Sequence, residues 1–179
     1  MNLVLTIVIS MLYGVVMAQQ PLPVTPVEQV DLGRYCGTWY EIARLPNSFQ
    51  RKCACCTSAE YSLLQDGKIR VVNRCRKADG SPSIAEGIAK KEDPNGSNAK
   101  LKVRFAPSWL GWIPFVWGTY WIIDLAPDYS YAVVGEPSRK YLWILSRAKK
   151  IEQMEYDKII SRLKGMGYDT GKLILSDQE

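Results

Sequence analysis

The chain contains no histidine, and this absence restricts the chemistry that it can perform. Without imidazole there is no Ser-His-Asp or Cys-His nucleophile, no His-ligated haem and no His-containing zinc site. An enzyme built from this sequence would have to work with carboxylates, Tyr, Lys or Cys alone. The sequence therefore favours a binding protein, with no cofactor and no metal, over an enzyme.

Charged residues are absent from the first part of the chain, up to Glu28. Within it, Leu3 to Val16 is almost wholly apolar but short for a spanning helix, which needs about 20 residues. Val16 and Ala18 suit cleavage by a signal peptidase, which predicts that residues 1–18 are a signal peptide. A retained N-terminal anchor is the alternative. We therefore expect an exported protein that is periplasmic, outer-membrane-associated or secreted.

Runs of like charge are also missing, although the formal net charge is +5. Basic and acidic residues are interspersed, so no surface that follows a nucleic-acid backbone is expected and nucleic acid is not a predicted partner. A modest attraction to anionic lipid headgroups stays open. Length and composition fit one domain, predicted for residues 31–179, after a Pro-rich lead at 19–30 that is expected to be extended and mobile.

Short segments that alternate polar and apolar residues follow one another between residues 37 and 147, separated by turn sequences. The turn Asp66-Gly67 is a strong hairpin signal, because such a turn needs a positive φ. The pattern predicts an all-β fold, an eight-stranded antiparallel up-and-down β-barrel whose interior can hold one small ligand. The predicted strands are 37–45, 55–64, 68–76, 84–91, 100–105, 117–125, 130–135 and 141–147.

After Arg147 the apolar period changes to that of a helix. Gly165 and Gly167 then supply stop signals. We predict one C-terminal α-helix packed outside the barrel, followed by a short strand or docked tail at 173–175. The apolar face of this helix is predicted to contain Ile151, Met154, Ile159, Ile160 and Leu163.

Two segments, one near the start and one near the end of the mature chain, carry the most specific signal, Gly33-Arg34-Tyr35-Cys36-Gly37-Thr38-Trp39-Tyr40-Glu41-Ile42-Ala43-Arg44 and Tyr141-Leu142-Trp143-Ile144-Leu145-Ser146-Arg147. A guanidinium stacked on an indole would plug one end of a closed sheet and contribute roughly 0.5–2 kcal/mol. The segments resemble those of the lipocalin family, in particular bacterial outer-membrane lipocalins, apolipoprotein D and plant temperature-induced lipocalins. The resemblance runs from about residue 31 to about residue 175. It implies a closed barrel base formed by Gly37, Trp39 and Arg147.

The resemblance also implies a hydrophobic ligand inside the barrel, a fatty acid or a lysophospholipid, that is bound for transport or storage. If Arg147 and Trp39 point inward at the base, every second residue of their strands does so too. The sixth strand presents either Tyr120 or Trp121 inward, and the resemblance favours Tyr120. The predicted ligand-binding residues are Trp143, Tyr120, Tyr141, Glu41, Ile122 and Leu145. The alternative is that these side chains only fill a packed core.

Two other functions remain open at this point. An enzyme on the same barrel would need a carboxylate inside the cavity with a raised pKa, and strand alternation offers Glu41 and Asp124. An interaction module would dock a protein partner through the apolar connection that precedes the sixth strand.

That connection, Ser108 to Trp117, is unusually apolar, and Gly and Pro interrupt any regular structure in it. An exposed apolar cluster of this size marks a contact surface, and Trp favours the membrane interface. We predict peripheral membrane contact through Trp109, Trp112, Phe115 and Trp117. A lid over the barrel or a homodimer contact is the alternative.

Five cysteines remain in a chain that is expected to be exported, where disulfides are the default. The resemblance implies a bond between Cys53 and Cys75, with Cys55 as the alternative partner; either needs a bulge or bend in the hairpin. Cys36 is then left to pair with another cysteine of the cluster formed by Cys53, Cys55 and Cys56. The spacing of the cysteines in this cluster suits a zinc site poorly. No cysteine follows the apolar run, so the lipid-modified cysteine of bacterial outer-membrane lipocalins has no candidate.

Overall fold

The computed structural model describes residues 20–106 and 116–179. These residues form nine strands, two α-helices and a 3-10 turn near the C-terminus. In chain order the elements are α1 (Leu32–Tyr35), β1 (Gly37–Arg44), β2 (Cys55–Leu63), β3 (Ile69–Arg76), β4 (Pro82–Lys91), β5 (Lys100–Arg104), β6 (Gly118–Leu125), β7 (Tyr131–Gly135), β8 (Leu142–Ser146), α2 (Gln153–Gly165), the 3-10 turn (Thr170–Lys172) and β9 (Ile174–Leu175). Every predicted strand is present, with ends within two residues of those predicted.

Strands β1 to β8 form a closed antiparallel barrel in which each strand pairs with the next. Closure depends on β1, which pairs with β2 on one side and with β8 on the other. Trp39 lies opposite Ala59 of β2, and Glu41 lies opposite Leu145 of β8. The predicted eight-stranded up-and-down barrel is therefore confirmed.

The two ends of the barrel differ in what covers them. We call the end where β1 begins the base, and the opposite end, which carries the 45–54 segment, the mouth. Helix α1 lies at the base, and the Asp31 side chain caps it by accepting hydrogen bonds from the backbone amides of Gly33 and Arg34. The lead before it contacts the barrel: Val27 donates a backbone hydrogen bond to Ile122, and Val30 is buried.

Apolar side chains form one cluster inside the barrel and a second between the barrel wall and α2. Successive residues of a strand point to opposite faces. Leu145 therefore belongs to the inner cluster, while Ile144 belongs to the outer one. The inner cluster occupies the region in which a ligand is expected.

Helix α2 packs outside the barrel, as predicted, but its buried face is narrower than expected. Ile159 and Leu163 are buried against the wall, whereas Met154 is 71% exposed. The inclusion of Met154 in the apolar face was therefore wrong. Met154 precedes Ile159 by five residues, which turns it about 140° away around a helix of 3.6 residues per turn.

The C-terminal tail fills a gap in the pairing between β1 and β2. These strands pair only between residues 37–40 and 58–61, and nearer the mouth β9 takes the place beside β1. The buried side-chain amide of Gln178 donates to the carbonyl oxygens of Glu41 (2.7 Å) and Thr57 (2.8 Å). The tail therefore joins the two strands where they separate.

Candidate functional site

Trp39 and Arg147 plug the base of the barrel. The guanidinium carbon of Arg147 lies 3.8 Å from the centre of the Trp39 ring. A side chain on Gly37, whose φ is +98°, would place its Cβ 3.3 Å from the same guanidinium. The three residues predicted for the base therefore lie together there. Arg147 also donates hydrogen bonds of 2.6–3.1 Å to the carbonyl oxygens of Arg34, Tyr35, Cys36 and Thr38.

Three tyrosines form a floor above this plug. The Tyr120 hydroxyl lies 2.7 Å from that of Tyr35 and 2.9 Å from that of Tyr61. Burial raises the pKa of Tyr61 to about 12 and the pKa values of Tyr35 and Tyr120 well above their ordinary value, so all three are neutral at physiological pH. Two hydrogen bonds use two of the three hydroxyl protons, and no described residue accepts the third.

Above the floor, the inward side chains of the mouth half are only partly buried. Val103, Tyr120 and Trp143 belong to the inner cluster but are half-buried. Phe105, the next inward position after Val103, is 44% exposed. Because these inward side chains keep exposed surface, we interpret the mouth half as a cavity with a largely apolar wall. Strand β4 adds only small inward residues to this wall, Ser83, Ala85, Gly87 and Ala89.

An aromatic cluster stands at the rim of this cavity. Phe49, Tyr141 and Trp143 have ring centres 5.5–6.1 Å apart. The indole nitrogen of Trp143 donates to the side-chain oxygen of Gln50 at 2.8 Å. Phe49 and Gln50 belong to the 45–54 segment, which is therefore attached to β8 at the mouth. Phe49 and Gln50 were not predicted from the sequence, because they lie in a connection that lacks the polar–apolar alternation of a strand.

The predicted ligand-binding residues occupy different depths. Tyr120 and Trp143 face the mouth half and keep exposed surface, and Tyr141 stacks beside Trp143 at the mouth. Ile122 and Leu145 are buried in the packed half of the barrel near the base, with exposures of 0% and 5%. The structure thus brings the first three together around open space and places the other two beneath it.

Glu41 faces the interior, as predicted, but its neighbours engage both carboxylate oxygens. One oxygen accepts hydrogen bonds from Arg44 (2.9 Å) and from Ser176 of the tail. The other accepts a hydrogen bond from Gln50 at 2.7 Å. Because Glu41 is 2% exposed, it acts as a junction between β1, the mouth segment and the tail.

Asp124 lies on the outer face of the barrel and not in the interior with Tyr120 and Ile122. A bulge between Ile122 and Asp124 shifts the register with β7 and reverses the alternation. The Asp124 carboxylate pairs with Arg162 of α2 at 2.7 Å. One of the two carboxylates offered as candidates for an enzyme, Asp124, is therefore absent from the interior.

Cations stack on indoles along the outer faces of β4, β5 and β6. Lys90 and Arg104 lie 4.4 and 5.0 Å from the centre of the Trp117 ring. Lys100 lies 4.8 Å from the centre of the Trp121 ring. Such contacts hold the long side chains against the barrel wall. We define the basic face as Lys90, Lys100, Lys102, Arg104 and Trp117.

The predicted membrane-contact residues are only partly within the described structure. Trp117 precedes β6 and belongs to the basic face. Trp109, Trp112 and Phe115 lie outside the described residues. The basic face is therefore the part of this surface that the structure describes.

The structure contains a disulfide between Cys53 and Cys75, with Cα atoms 5.6 Å apart. A bulge in β2 between Cys55 and Ser58 shifts the hairpin register, as this pairing requires. Cys36 lies at the base and is free, while Cys55 and Cys56 are free near the mouth. The pairing left open for Cys36 is not formed, because Cys36 and the cluster lie at opposite ends.

Residues 20–106 and 116–179 contain no group of three Cys, Asp or Glu side chains arranged to hold a metal ion. No helix in the same part of the chain is long and apolar enough to cross a membrane. Two outer depressions of about 400 and 360 Å³ lie at the C-terminal residues and beside the 95–98 turn. Neither is lined by an inward residue of the barrel.

Comparison with known proteins places this geometry in a family. Residues 30–178 match the family model described as Lipocalin-like domain. Temperature-induced lipocalin-1 of Arabidopsis thaliana is 44% identical over 148 residues, covering 82% of this chain and 78% of that protein. Outer membrane lipoprotein Blc of Vibrio cholerae is 41% identical over 162 residues, covering 89% of each chain. The solved structure of insecticyanin from Manduca sexta matches with a TM-score of 0.65 and 26% identity, covering 88% of this chain and 86% of that one.

The family match spans the barrel, the plug at its base and the C-terminal tail. Lipocalins generally bind or transport small hydrophobic molecules and are not generally enzymes. A barrel that is sealed at one end and has an apolar-walled cavity toward the other suits that role. On this fold, plug and sequence similarity, the chain belongs to the lipocalin family.

Proposed function

We propose that the exported protein binds one fatty acid or lysophospholipid in the mouth half of its barrel, for transport or storage. The observation that carries this proposal is the incomplete burial of the inward side chains Val103, Phe105, Tyr120 and Trp143. An acyl chain would cover that surface. Each buried methylene contributes about 0.8 kcal/mol, so ten would contribute roughly 8 kcal/mol before the costs of association.

The distribution of charge indicates how such a ligand would lie. The floor is made of neutral tyrosines, so it offers no cation to a carboxylate or a phosphate. Exposed cations stand instead at the mouth, with Arg51 and Lys52 on the 45–54 segment and Lys140 beside Tyr141. An anionic headgroup at the mouth and an acyl chain inside would satisfy both ends of the cavity.

Filling the cavity tests its location, and β4 offers a matched pair of neighbouring positions. Ala85 points inward and Ile84 points outward. Ala85→Trp is expected to weaken the binding of oleate to delipidated protein by at least about tenfold, or 1.4 kcal/mol. Ile84→Trp is expected to leave the affinity unchanged. Equal affinities in the two variants would place the ligand outside the barrel.

The same titration has an internal reporter in Trp143. Its indole lines the cavity, so oleate is expected to change its fluorescence, and Trp143→Phe is expected to lose most of that change. A full change that persists in Trp143→Phe would contradict the assignment of Trp143 to the cavity wall.

We further propose that the mouth-side surface contacts an anionic membrane, through the Trp-rich connection and the basic face. The basic face supports this, because Lys90 and Arg104 stack on Trp117, which ends the connection that contains Trp109 and Trp112. Tryptophan partitions at the headgroup level, and each Lys or Arg near an anionic surface contributes about 1 kcal/mol.

Replacing both Trp109 and Trp112 with Ser is expected to reduce co-sedimentation with vesicles of phosphatidylcholine and phosphatidylglycerol, while oleate affinity stays the same. Added salt is expected to weaken the binding of the unmodified protein. If the double variant sediments like the unmodified protein, the connection is a lid or a homodimer contact. If it unfolds, the two rings belong to the core.

The basic face has its own matched test within the same assay. Lys90→Ala/Lys100→Ala is expected to weaken vesicle binding by about 30-fold, since each lysine contributes about 1 kcal/mol. Lys149→Ala/Lys164→Ala removes the same charge from exposed positions outside the basic face and is expected to have a smaller effect. Equal effects of the two pairs would show that only net charge matters.

A further inference from the structure

Cys55 and Cys56, two adjacent cysteines at the start of β2, are free thiols that the proposed ligand binding does not use. Neighbouring residues of a strand ordinarily point to opposite faces. Here the bulge between Cys55 and Ser58, with a φ of +59° at Cys56, turns both side chains to the same side. Their Sγ atoms lie 2.8 Å apart. The two thiols therefore already face each other in the folded protein.

The surroundings of the pair separate it from the other cysteines. Cys53 is two residues away, but it is bonded to Cys75. Cys36 lies at the base, at the far end of the barrel. Cys55 and Cys56 are both half-buried and so retain access to small molecules in solvent. Each of the two is thus the nearest free thiol to the other.

The C-terminal tail holds one member of the pair in place. The backbone amide of Cys56 donates to the carbonyl oxygen of Asp177 at 2.7 Å, and its Sγ lies 3.3 Å from that of Glu179. The hydrogen bond shared with Cys56, followed by burial, raises the pKa of the Cys55 thiol. Cys55 is therefore protonated at neutral pH in the reduced pair. Once the Cys56 sulfur is in a mixed disulfide this shared hydrogen bond is lost, and the Cys55 thiol can ionise and attack in the second step.

We propose that Cys55 and Cys56 form a redox modification site that closes into a reversible vicinal disulfide by exchange with a low-molecular-weight disulfide such as oxidised glutathione. In the first step the Cys56 thiolate attacks one sulfur of the small disulfide, forms a mixed disulfide and releases one small thiol. In the second step the Cys55 sulfur attacks the Cys56 sulfur, the mixed bond breaks, and a second small thiol leaves. Two protein thiols are oxidised, one small disulfide is reduced to two thiols, and the two protein protons leave with them.

The closed form has a defined structural consequence. Once the two sulfurs are bonded, Cys56 has no thiol proton for the carbonyl oxygen of Glu179. The backbone bond to Asp177 and the side-chain bonds of Gln178 remain. The barrel is therefore expected to keep its fold in both redox states, so the reaction can be followed on the native protein.

The test uses the mature protein with the Cys53–Cys75 bond intact and Cys36→Ser as background, so that only two free thiols remain. The protein is incubated with oxidised glutathione, quenched with iodoacetamide and analysed by intact mass and by peptide mapping without reduction. We expect a loss of two hydrogens, no alkylation of either cysteine and only a transient glutathione adduct. Dithiothreitol at a dose that spares the Cys53–Cys75 bond is expected to restore both thiols.

Two further variants distinguish ring closure from simple thiol modification. Cys55→Ser and Cys56→Ser each leave a single thiol and are expected to accumulate a stable glutathione adduct. If the parent protein keeps a stable adduct like these variants, the proposal is wrong. It is equally wrong if mapping finds Cys55 or Cys56 bonded to Cys53 or Cys75.

Discussion

Replacing Arg147 with Ala is expected to lower the free energy of unfolding by about 3 kcal/mol, through the loss of a cation–π contact and of charged hydrogen bonds. The guanidinium stacks on Trp39 and ties α1 and β1 together through four carbonyl oxygens. Without it all four carbonyl oxygens lose the guanidinium as a donor, although that of Tyr35 keeps the indole N–H of Trp39, and the base of the barrel opens to water. Urea and thermal denaturation of the mature protein measure the change.

A matched arginine on the outside of the barrel serves as the control. Arg74 pairs with Glu60 at 2.7 Å, but both side chains are more than 40% exposed. Arg74→Ala is therefore expected to cost less than about 1 kcal/mol. If both variants unfold at the same urea concentration, the Arg147 plug does not stabilise the barrel.

Removing the disulfide with Cys53→Ala/Cys75→Ala is expected to lower the free energy of unfolding by about 3 kcal/mol, the chain-entropy value for a loop of this length. The bonded residues are 22 apart and hold the start of β2 to the end of β3 beside the mouth. The midpoint of urea denaturation measures this loss of stability. Oleate affinity, measured at a temperature where the variant is folded, shows separately whether ligand binding changes.

Cys36→Ala is the matched control for the loss of cysteine itself. Cys36 is free, so its replacement is expected to change the free energy of unfolding by less than about 1 kcal/mol. Equal losses in the two variants would mean that the Cys53–Cys75 bond contributes nothing beyond the packing of its sulfur atoms.

The strands were predictable because turns and alternation are local properties of the sequence. The Asp66-Gly67 turn and the alternation on either side of it locate β2 and β3 to within a residue. Helix α1 was missed because four residues are too few to show a helical period. Its one local signal is Asp31, a residue typical of helix N-caps.

The site was predictable only as far as strand alternation continues without interruption. Alternation from Arg147 placed Trp143 in the interior, but on the sixth strand it left Tyr120 and Trp121 open, and the family resemblance favoured Tyr120. Alternation failed at Asp124, where a bulge reverses the faces. No feature of the sequence marks that bulge. Tyr35 and Tyr61 lie on different elements and become a floor only once the barrel has closed, so their hydrogen bonds to Tyr120 could not be found from local pattern.

The central claim is that the mouth half of the barrel holds one hydrophobic ligand, and native mass spectrometry of delipidated protein reloaded with oleate tests it most directly. The account predicts a complex of one chain with one oleate, equally abundant for the unmodified protein and for Ile84→Trp and strongly reduced for Ala85→Trp. A protein that stays free of oleate in all three forms, or that binds it equally well in Ala85→Trp, would contradict the account.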